Sequence, residues 1–269
     1  MIVTFGDALL DVIVRLQEPL ATGADALASS QTSAGGQAAN VAAWIVALGG
    51  EARCVAKRGD DMAGELVATE LVRRGVELAG PVAGRSGIVV SRVAEDGERT
   101  MASERGTAPA VRPEDLDPAW FACECLHISG YALLAAPIDT AAFRAAEFAR
   151  SNGAKVSVDL SAWTRIREYG PGRFREQLER LAPDVVFANE AEWEILGGAY
   201  SLAATAVVKR GRRGVLVLGE ERRELPAHDV EVVDATGAGD ALAAGFLVGG
   251  AELALEAAAR CVATVGAMP

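Results

Sequence analysis

Asp234-Ala235-Thr236-Gly237-Ala238-Gly239-Asp240-Ala241 is the stretch on which the reading of this chain turns. It follows Val232-Val233, which reads as a strand end, and it runs into an apolar, Ala-rich helix from Ala241-Leu242-Ala243-Ala244 onward. A glycine turn that opens a helix presents free backbone N–H groups and the positive end of the helix dipole. That combination is an anion site, most simply for phosphate. One carboxylate, Asp240, stands inside it. Two readings of Asp240 are open: a plain helix cap, or a base held beside a transferring phosphoryl group. Two other glycine loops are excluded. No Gly-x-x-x-x-Gly-Lys-Ser/Thr occurs, so this is not a P-loop. The fingerprint Gly-x-Gly-x-x-Gly/Ala fails at Leu242, and it belongs to the first βα turn of a domain rather than to its last helix.

Working outward, Gly35-Gly36-Gln37-Ala38-Ala39-Asn40 opens a second glycine-turn-into-helix unit, which closes at Gly49-Gly50. Asn40 falls in the first turns of that apolar helix and is either a satisfied core amide or a ligand contact. Near the start, residues 2–5 form a short strand broken by Gly6-Asp7, and Asp11 interrupts the apolar run that follows. Asp11 is either a cap or a carboxylate that accepts hydrogen bonds from ligand hydroxyls. Residues 17–34 read as loop with one short strand. Residues 87–93 and 99–103 read as a hairpin around Glu95-Asp96-Gly97-Glu98. From Glu124 the rhythm is regular. Strands over residues 125–129, 155–160, 184–188, 204–208 and 215–218 alternate with helices over 138–150 and 174–181, and two helices close the chain. Such alternation means a parallel sheet covered on both faces, with ligands beyond the carboxyl ends of its strands. Asp11, Gly35-Gly36, Asn189, Glu192, Gly211 and Asp240 nearly all fall just after a strand.

Composition sets bounds. A chain of 269 residues, 51% hydrophobic, supports one large domain or a domain with a small appendage. A net charge of −11 with no basic block excludes nucleic acid and anionic membrane surfaces as partners. Only three lysines occur, Lys57, Lys155 and Lys209, so a site that needs an ammonium has few candidates. The cysteines at 54, 123, 125 and 261 have neither redox nor zinc spacing and read as free thiols in a reducing compartment. The N-terminus lacks the basic region of a signal peptide, and there is no run of about 18 apolar residues to cross a membrane. A soluble cytoplasmic protein is expected. His127 and His228 are expected to be structural.

Asp234-x-Thr236-Gly237-Ala238-Gly239-Asp240-Ala241, with Ala243, Ala244 and Gly245 behind it, resembles the C-terminal signature of the ribokinase, or PfkB, family of sugar and nucleoside kinases. Gly35-Gly36-Gln37-Ala38-Ala39-Asn40-Val41-Ala42, with Leu48-Gly49 after it, is similar to that family's first signature. Asn189-x-x-Glu192 matches its metal-associated motif. Val207-Val208-Lys209-Arg210-Gly211-x-x-Gly214 resembles its nucleotide-side strand and turn. Gly6-Asp7 with Asp11 matches its opening strand and substrate-binding aspartate, and Ser129-Gly130-Tyr131 and Val158-Asp159 stand at the expected places. The resemblance spans nearly the whole chain.

The resemblance implies a doubly wound, mainly parallel α/β sheet flanked by helices. It implies a single domain over residues 1–269, with a small β lid built from segments near 12–34 and 76–106. Asp240 would be the general base for attack of a substrate hydroxyl on the γ-phosphorus of ATP. The backbone of Gly237, Ala238, Gly239 and Asp240 would form the anion hole. Asp11 would clamp hydroxyls of a small sugar, sugar acid or nucleoside, helped by Gly35, Gly36, Gln37 and Asn40. Arg99 and Arg105, in or beside the hairpin, either reach a substrate carboxylate or phosphate or are solvated surface arginines. Asn189, Lys209, Gly211, Gly214, Thr236, Gly237 and Gly239 would face the nucleotide. Asn189 and Glu192 would hold Mg²⁺ mostly through water. Asp234 and Thr236 match part of a monovalent-cation site for K⁺ whose C-terminal half is only partly present, which counts against a K⁺ requirement. Part of the family pairs as homodimers through the lid. Gln37 stands where ribokinases proper carry Lys, which points away from ribose itself. The competing reading is a non-catalytic nucleotide- or sugar-binding homologue. A nicotinamide-dependent dehydrogenase is excluded, since residues 5–9 supply no dinucleotide turn.

Overall fold

Short stretches of four or five residues with apolar cores, too short for helices, recur along the chain and form strands buried on both faces. A computed structural model describes residues 1–93, 99–198 and 202–269. The order begins β1 (Ile2–Phe5), β2 (Leu9–Leu16), β3 (Ala28–Gly35), α1 (Gln37–Ala47), β4 (Ala52–Val55), α2 (Met62–Arg73) and β5 (Glu77–Ala79). It continues with β6 (Ser86–Val93), β7 (Arg99–Gly106), β8 (Cys125–Ser129), α3 (Ile138–Ser151), β9 (Lys155–Asp159), α4 (Trp163–Tyr169) and α5 (Pro171–Leu181). It ends with β10 (Val185–Asn189), α6 (Glu190–Ile195), β11 (Thr205–Lys209), β12 (Val215–Leu218), β13 (Arg222–Leu225) and α7 (Ala238–Val262).

The large sheet has the order β13-β12-β11-β10-β9-β8-β1-β4-β5. It is parallel from β11 to β5, with β12 and β13 added antiparallel at one edge. Strand order runs outward from β1 in both directions, so the chain reverses its direction of winding beside β1. Alternate residues feed opposite faces. Phe187 packs with α1 and α7, while Val186 and Ala188 pack with α3 and α5. The helices that cover the sheet are rich in alanine, and small side chains let α1 lie close against both α7 and the sheet.

A second sheet, β3-β2-β6-β7, stands apart from the first. Two expectations change. Asp11 lies inside β2 rather than in a cap. The one short strand expected within residues 17–34 is β3; its Ser- and Ala-rich, exposed sequence shows no apolar alternation, yet β2 pairs with it residue by residue. Residues 77–79, inside the segment expected to build the lid, form β5, which pairs with β4 at the edge of the large sheet instead. The expected turn Glu95-Asp96-Gly97-Glu98 lies outside the described residues. One further reading changes. Residues 232–234 form no strand, because the Val233 and Asp234 N–H groups bond the Val262 carbonyl at 2.7 and 3.2 Å instead of a neighbouring strand. The two expected closing helices are present and meet at a kink of non-helical backbone at Gly249-Gly250; they are numbered together as α7. By length and hydropathy α7 could cross a bilayer, but half of its most apolar window is buried within the protein.

Gly36 makes the passage from β3 into α1. Its φ is +91°, and a Cβ there would stand 2.5 Å from the Asp7 carbonyl oxygen. Gly23 also has positive φ, +77°, but open space around it. Gly36→Ala should therefore cost about 1–2 kcal/mol of backbone strain plus the displacement of Asp7, and thermal melts should show Tm falling by roughly 5 °C or more. Gly23→Ala should show the strain alone. Equal losses at the two positions would mean that the contact with Asp7 is unimportant.

Candidate active site

Because the strands are parallel, their carboxyl ends lie along one edge of the sheet. That edge carries Gly6-Asp7 after β1, Gly130 after β8, Asp159 at the end of β9, Asn189 at the end of β10 and Lys209 at the end of β11. The first turn of α7 completes it. Gly237 caps that helix in the left-handed region, φ +78°, and a Cβ there would lie 2.5 Å from the Ala267 Cα. The first intrahelical bond runs from the Ala241 N–H to the Gly237 carbonyl at 2.9 Å. The N–H groups of residues 237–240 therefore precede the helical ladder. That of Ala238 reaches the Ala235 carbonyl at 3.4 Å. Asp234 pins the loop: its Oδ1 accepts from the Thr236 N–H at 2.9 Å and hydroxyl at 2.7 Å, and its Oδ2 accepts from the Gly266 N–H at 3.0 Å.

Asp240 is not a simple cap. Its Oδ2 accepts from Asn40 Nδ2 at 2.7 Å across 200 residues of sequence, and Gln37 also bonds its side chain. Burial lifts its carboxyl to about 7, against the pull of the Asn40 bond, and the nearby Asp159 charge adds to the rise. The other Asn40 atom, Oδ1, is buried and without a partner among the described residues. The Ser161 hydroxyl donates to Gln37 Oε1 or to the Asp159 carbonyl, and it accepts from the Gly130 N–H. Ser161 holds φ +73°, a strained value for a residue with a Cβ, two residues past the carboxyl end of β9.

Lys209 Nζ sits 2.6 and 2.9 Å from the two carboxylate oxygens of Asp159, whose side chain is fully buried. Burial would push the Lys209 ammonium down, but Asp159 and Glu192 outweigh it and hold it above its usual value. Asn189 and Glu192 close a capping box at the start of α6. Glu192 accepts from the Asn189 N–H at 2.8 Å and from Nδ2 at 2.7 Å, while Asn189 Oδ1 accepts from the Glu192 N–H at 2.9 Å. Burial raises the Glu192 carboxyl.

On the other flank, the Asp11 carboxylate lies over Gly35, where a Cβ would be 2.3 Å from it. Arg105 is neither a free anion ligand nor a solvated arginine. Its Nε and an Nη bond Asp7 at 2.7 and 2.8 Å, and its guanidinium lies 5.6 Å from the Tyr131 ring centroid. The pair ties β7 of the second sheet to the turn after β1. Arg99 is the first residue of β7.

One cleft of about 640 Å³ gathers Gln37, Asn189, Glu192, Lys209, Gly211, Gly214, Ala238, Gly239 and Asp240. Val230, Val232, Leu242, Leu255 and Val262 supply an apolar wall. Thr236, Gly237 and Asp234 support the loop from behind; Asp11, Gly35, Gly36 and Asn40 lie outside the cleft lining, with Asn40 joined to it through Asp240. Asp159 and Ser161 also line the cleft. Sequence reasoning placed Asp159 at a strand end but assigned it no role; an acid ending an apolar strand was the available signal. His127 is structural as expected: it is buried, bonded to Ser157 Oγ at 2.9 Å, and held neutral by burial, with its pKa pushed down to about 4. His228 instead stands on the cleft wall.

Comparison with known proteins adds an independent line. The family described as pfkB family carbohydrate kinase matches residues 1–268. The chain is 34% identical to an ATP-dependent ribose-1-phosphate kinase of Halopiger xanaduensis, over 97% of this chain and 90% of that one. It is 31% identical to a fructokinase of Klebsiella pneumoniae, over 80% and 76%. Among solved structures, adenosine kinase from Sinorhizobium meliloti superposes with a TM-score of 0.86 at 27% identity, covering 100% of this chain and 95% of that one.

The raised Asp240 carboxyl has a consequence for stability. A folded-state pKa of about 7 above the ordinary carboxylate value means that the folded protein loses stability as pH rises toward 7 and the buried group ionises. Asp240→Asn removes that cost. Its Tm should exceed that of the unsubstituted protein, and the gap should widen between pH 5 and pH 7.5. A gap that stays constant with pH would show that Asp240 is not held protonated by burial.

Proposed function

The chain belongs to the pfkB family of carbohydrate kinases, and we propose that Asp240 is the general base with which it moves the γ-phosphoryl group of ATP to a hydroxyl of a small sugar, phosphosugar or nucleoside. The observation that carries this reading is the Asn40–Asp240 bond together with the unpartnered Asn40 Oδ1. A substrate hydroxyl placed there donates to Asn40 or to Asp240, and a carboxyl poised near 7 is matched to taking its proton at neutral pH. The acceptor oxygen bonds to phosphorus as the bond from phosphorus to the ADP oxygen breaks; ADP keeps that electron pair, and the hydroxyl proton passes to Asp240. Phosphoryl transfer asks the protein mainly for positioning and charge stabilisation. The N–H groups of Gly237, Gly239 and Asp240 supply the latter at the helix N-terminus. Ala238, whose N–H leans toward Ala235, contributes less.

Asp11 clamps the sugar from the second sheet, and the Asp7–Arg105 pair holds that sheet over the strand ends. The apolar wall of α7 suits the nucleotide base, with Gly211 and Gly214 shaping the turn beside it. The donor set at Glu192 is oxygen only and opens onto the cleft, which fits a hard cation that keeps most of its water. Glu192 would face the hydrated Mg²⁺, and Asn189, whose amide is engaged in the capping box, would orient it; the ion would supply positive charge to the phosphates. K⁺ is not needed in this reading, since Asp234 already takes donors from Thr236 and Gly266. The described cysteines are free thiols, which suits a reducing compartment such as the cytoplasm.

Two experiments test the reading. A panel containing ribose 1-phosphate, fructose, adenosine and a sugar acid, assayed with ATP and Mg²⁺, should yield at least one phosphorylated product. With that acceptor kcat should fall as pH drops below about 7, and Asp240→Asn should lower it by about a thousandfold with ATP affinity retained. A variant that keeps its turnover removes Asp240 as the base. Gly35→Ala should displace the Asp11 carboxylate and raise KM for the acceptor by about tenfold, one lost hydrogen bond to a charged group, with little change in Tm. An unchanged KM would detach Asp11 from substrate binding.

A further inference from the structure

We propose that Lys209 is the side-chain cation that binds the transferring phosphoryl group, and that Asp159 is the residue that positions it. The proposal rests on the kinase reading above and assigns parts to two residues within it.

Geometry carries it first. β9, β10 and β11 are neighbours, with Asp159 level with Phe187 and Lys209 level with Asn189. The ion pair therefore reaches across the end of β10 instead of staying on its own strand. A Cβ built on Gly239 would stand 3.2 Å from Lys209 Nζ, so the ammonium abuts the backbone of the first turn of α7, one residue from Asp240. In-line transfer requires the phosphoryl group to lie beside the attacked hydroxyl, hence beside the base and those N–H groups. Of the phosphates of a bound nucleotide, the terminal one is the group that must come to this place.

Energetics point the same way. A buried ion pair is a poor stabilising device, because desolvation cancels most of the attraction. Asp159 is nevertheless fully buried and Lys209 nearly so, with side-chain exposures of 0% and 15%. An ammonium has three donors, and the two oxygens of Asp159 take at most two, leaving one for a ligand in the cleft. Charge balance gives the reason for such a residue. Asp159, Glu192 and Asp240, with the exposed Asp229, place four carboxylates around a cleft that must accept a polyanion. Arg212 and His228 also line it but are exposed. The other lysines are elsewhere: Lys57 bonds the Ala110 carbonyl, and Lys155 is exposed at the opposite end of β9. Asp159 fixes where the ammonium stands and, with Glu192 and Asp240, keeps it charged.

The test uses the full-length protein and compares ATP with ADP by isothermal titration calorimetry in Mg²⁺ buffer, beside kcat. Lys209→Met should weaken ATP binding about tenfold or more while ADP affinity stays within about threefold, and kcat should fall about a hundredfold. Asp159→Asn should lower the same ATP-to-ADP preference in the same direction, with acceptor KM unchanged. If that variant unfolds, the double variant Asp159→Asn with Lys209→Met carries no unpaired buried charge and should reproduce Lys209→Met alone. An unchanged ATP-to-ADP ratio in Lys209→Met, or an equal loss for both nucleotides, overturns the assignment. Should the unsubstituted protein phosphorylate no acceptor, the kinase reading falls, while the nucleotide preference still decides the part of Lys209.

Discussion

Asp240 and Asn40 meet through one bond of 2.7 Å, and much of the molecule is arranged so that they can. A carboxylate taken out of water is costly unless hydrogen bonds replace the water it loses. Here the replacement comes from the first turns of α1, so α1 and α7 must pack side by side. Their alanines allow that approach. The segment after α7 locks it: Trp44 donates to the Ala267 carbonyl at 2.8 Å, Gly237 presses against Ala267, and Asp234 holds Gly266. The two glycine turns and the C-terminal residues thus form one unit, and neither helix could shift without opening the site.

Around that unit the charges are deliberately unbalanced. Among the described residues, four carboxylates line one cleft, with one nearly covered ammonium among them. Such crowding is unfavourable for a protein that only needs to be stable, and it is understandable where charge must be met as it develops on a substrate. The same logic applies to Asp7 and Arg105, which are bonded across the joint between the two sheets. The turn after β1, the glycines before α1 and the end of β7 converge there, and the pair joins the sheet that carries Asp11 to the sheet that carries Asp159, Asn189 and Lys209.

Much of this was legible in the sequence. The parallel sheet could be read because its strands are buried on both faces and mostly apolar. The α7 loop could be read because two glycines before an apolar helix have few other physical uses. The second sheet was only half legible. β3 is exposed, and nothing in a run of Ala and Ser marks a strand until a partner supplies its hydrogen bonds. Residues 232–234 mislead in the opposite sense: their valines resemble a strand, but their N–H groups find a helix end. Asp11 could be singled out as an acid in an apolar run, whereas its position in mid-strand over Gly35 could not.

Local chemistry was thus determined by the sequence itself: where helices begin, which turns require glycine, which acids fall at strand ends. Those features depend on neighbours within a few residues, and the backbone responds to them directly. The tertiary structure alone decided the pairings: Asn40 with Asp240, Lys209 with Asp159, Arg105 with Asp7. Each joins side chains tens to hundreds of residues apart, and each exists because winding the chain outward from β1 brings those strand ends to one edge. The lift of Asp240 toward 7 belongs to the same class, since burial and the charge of Asp159, both products of packing, set it.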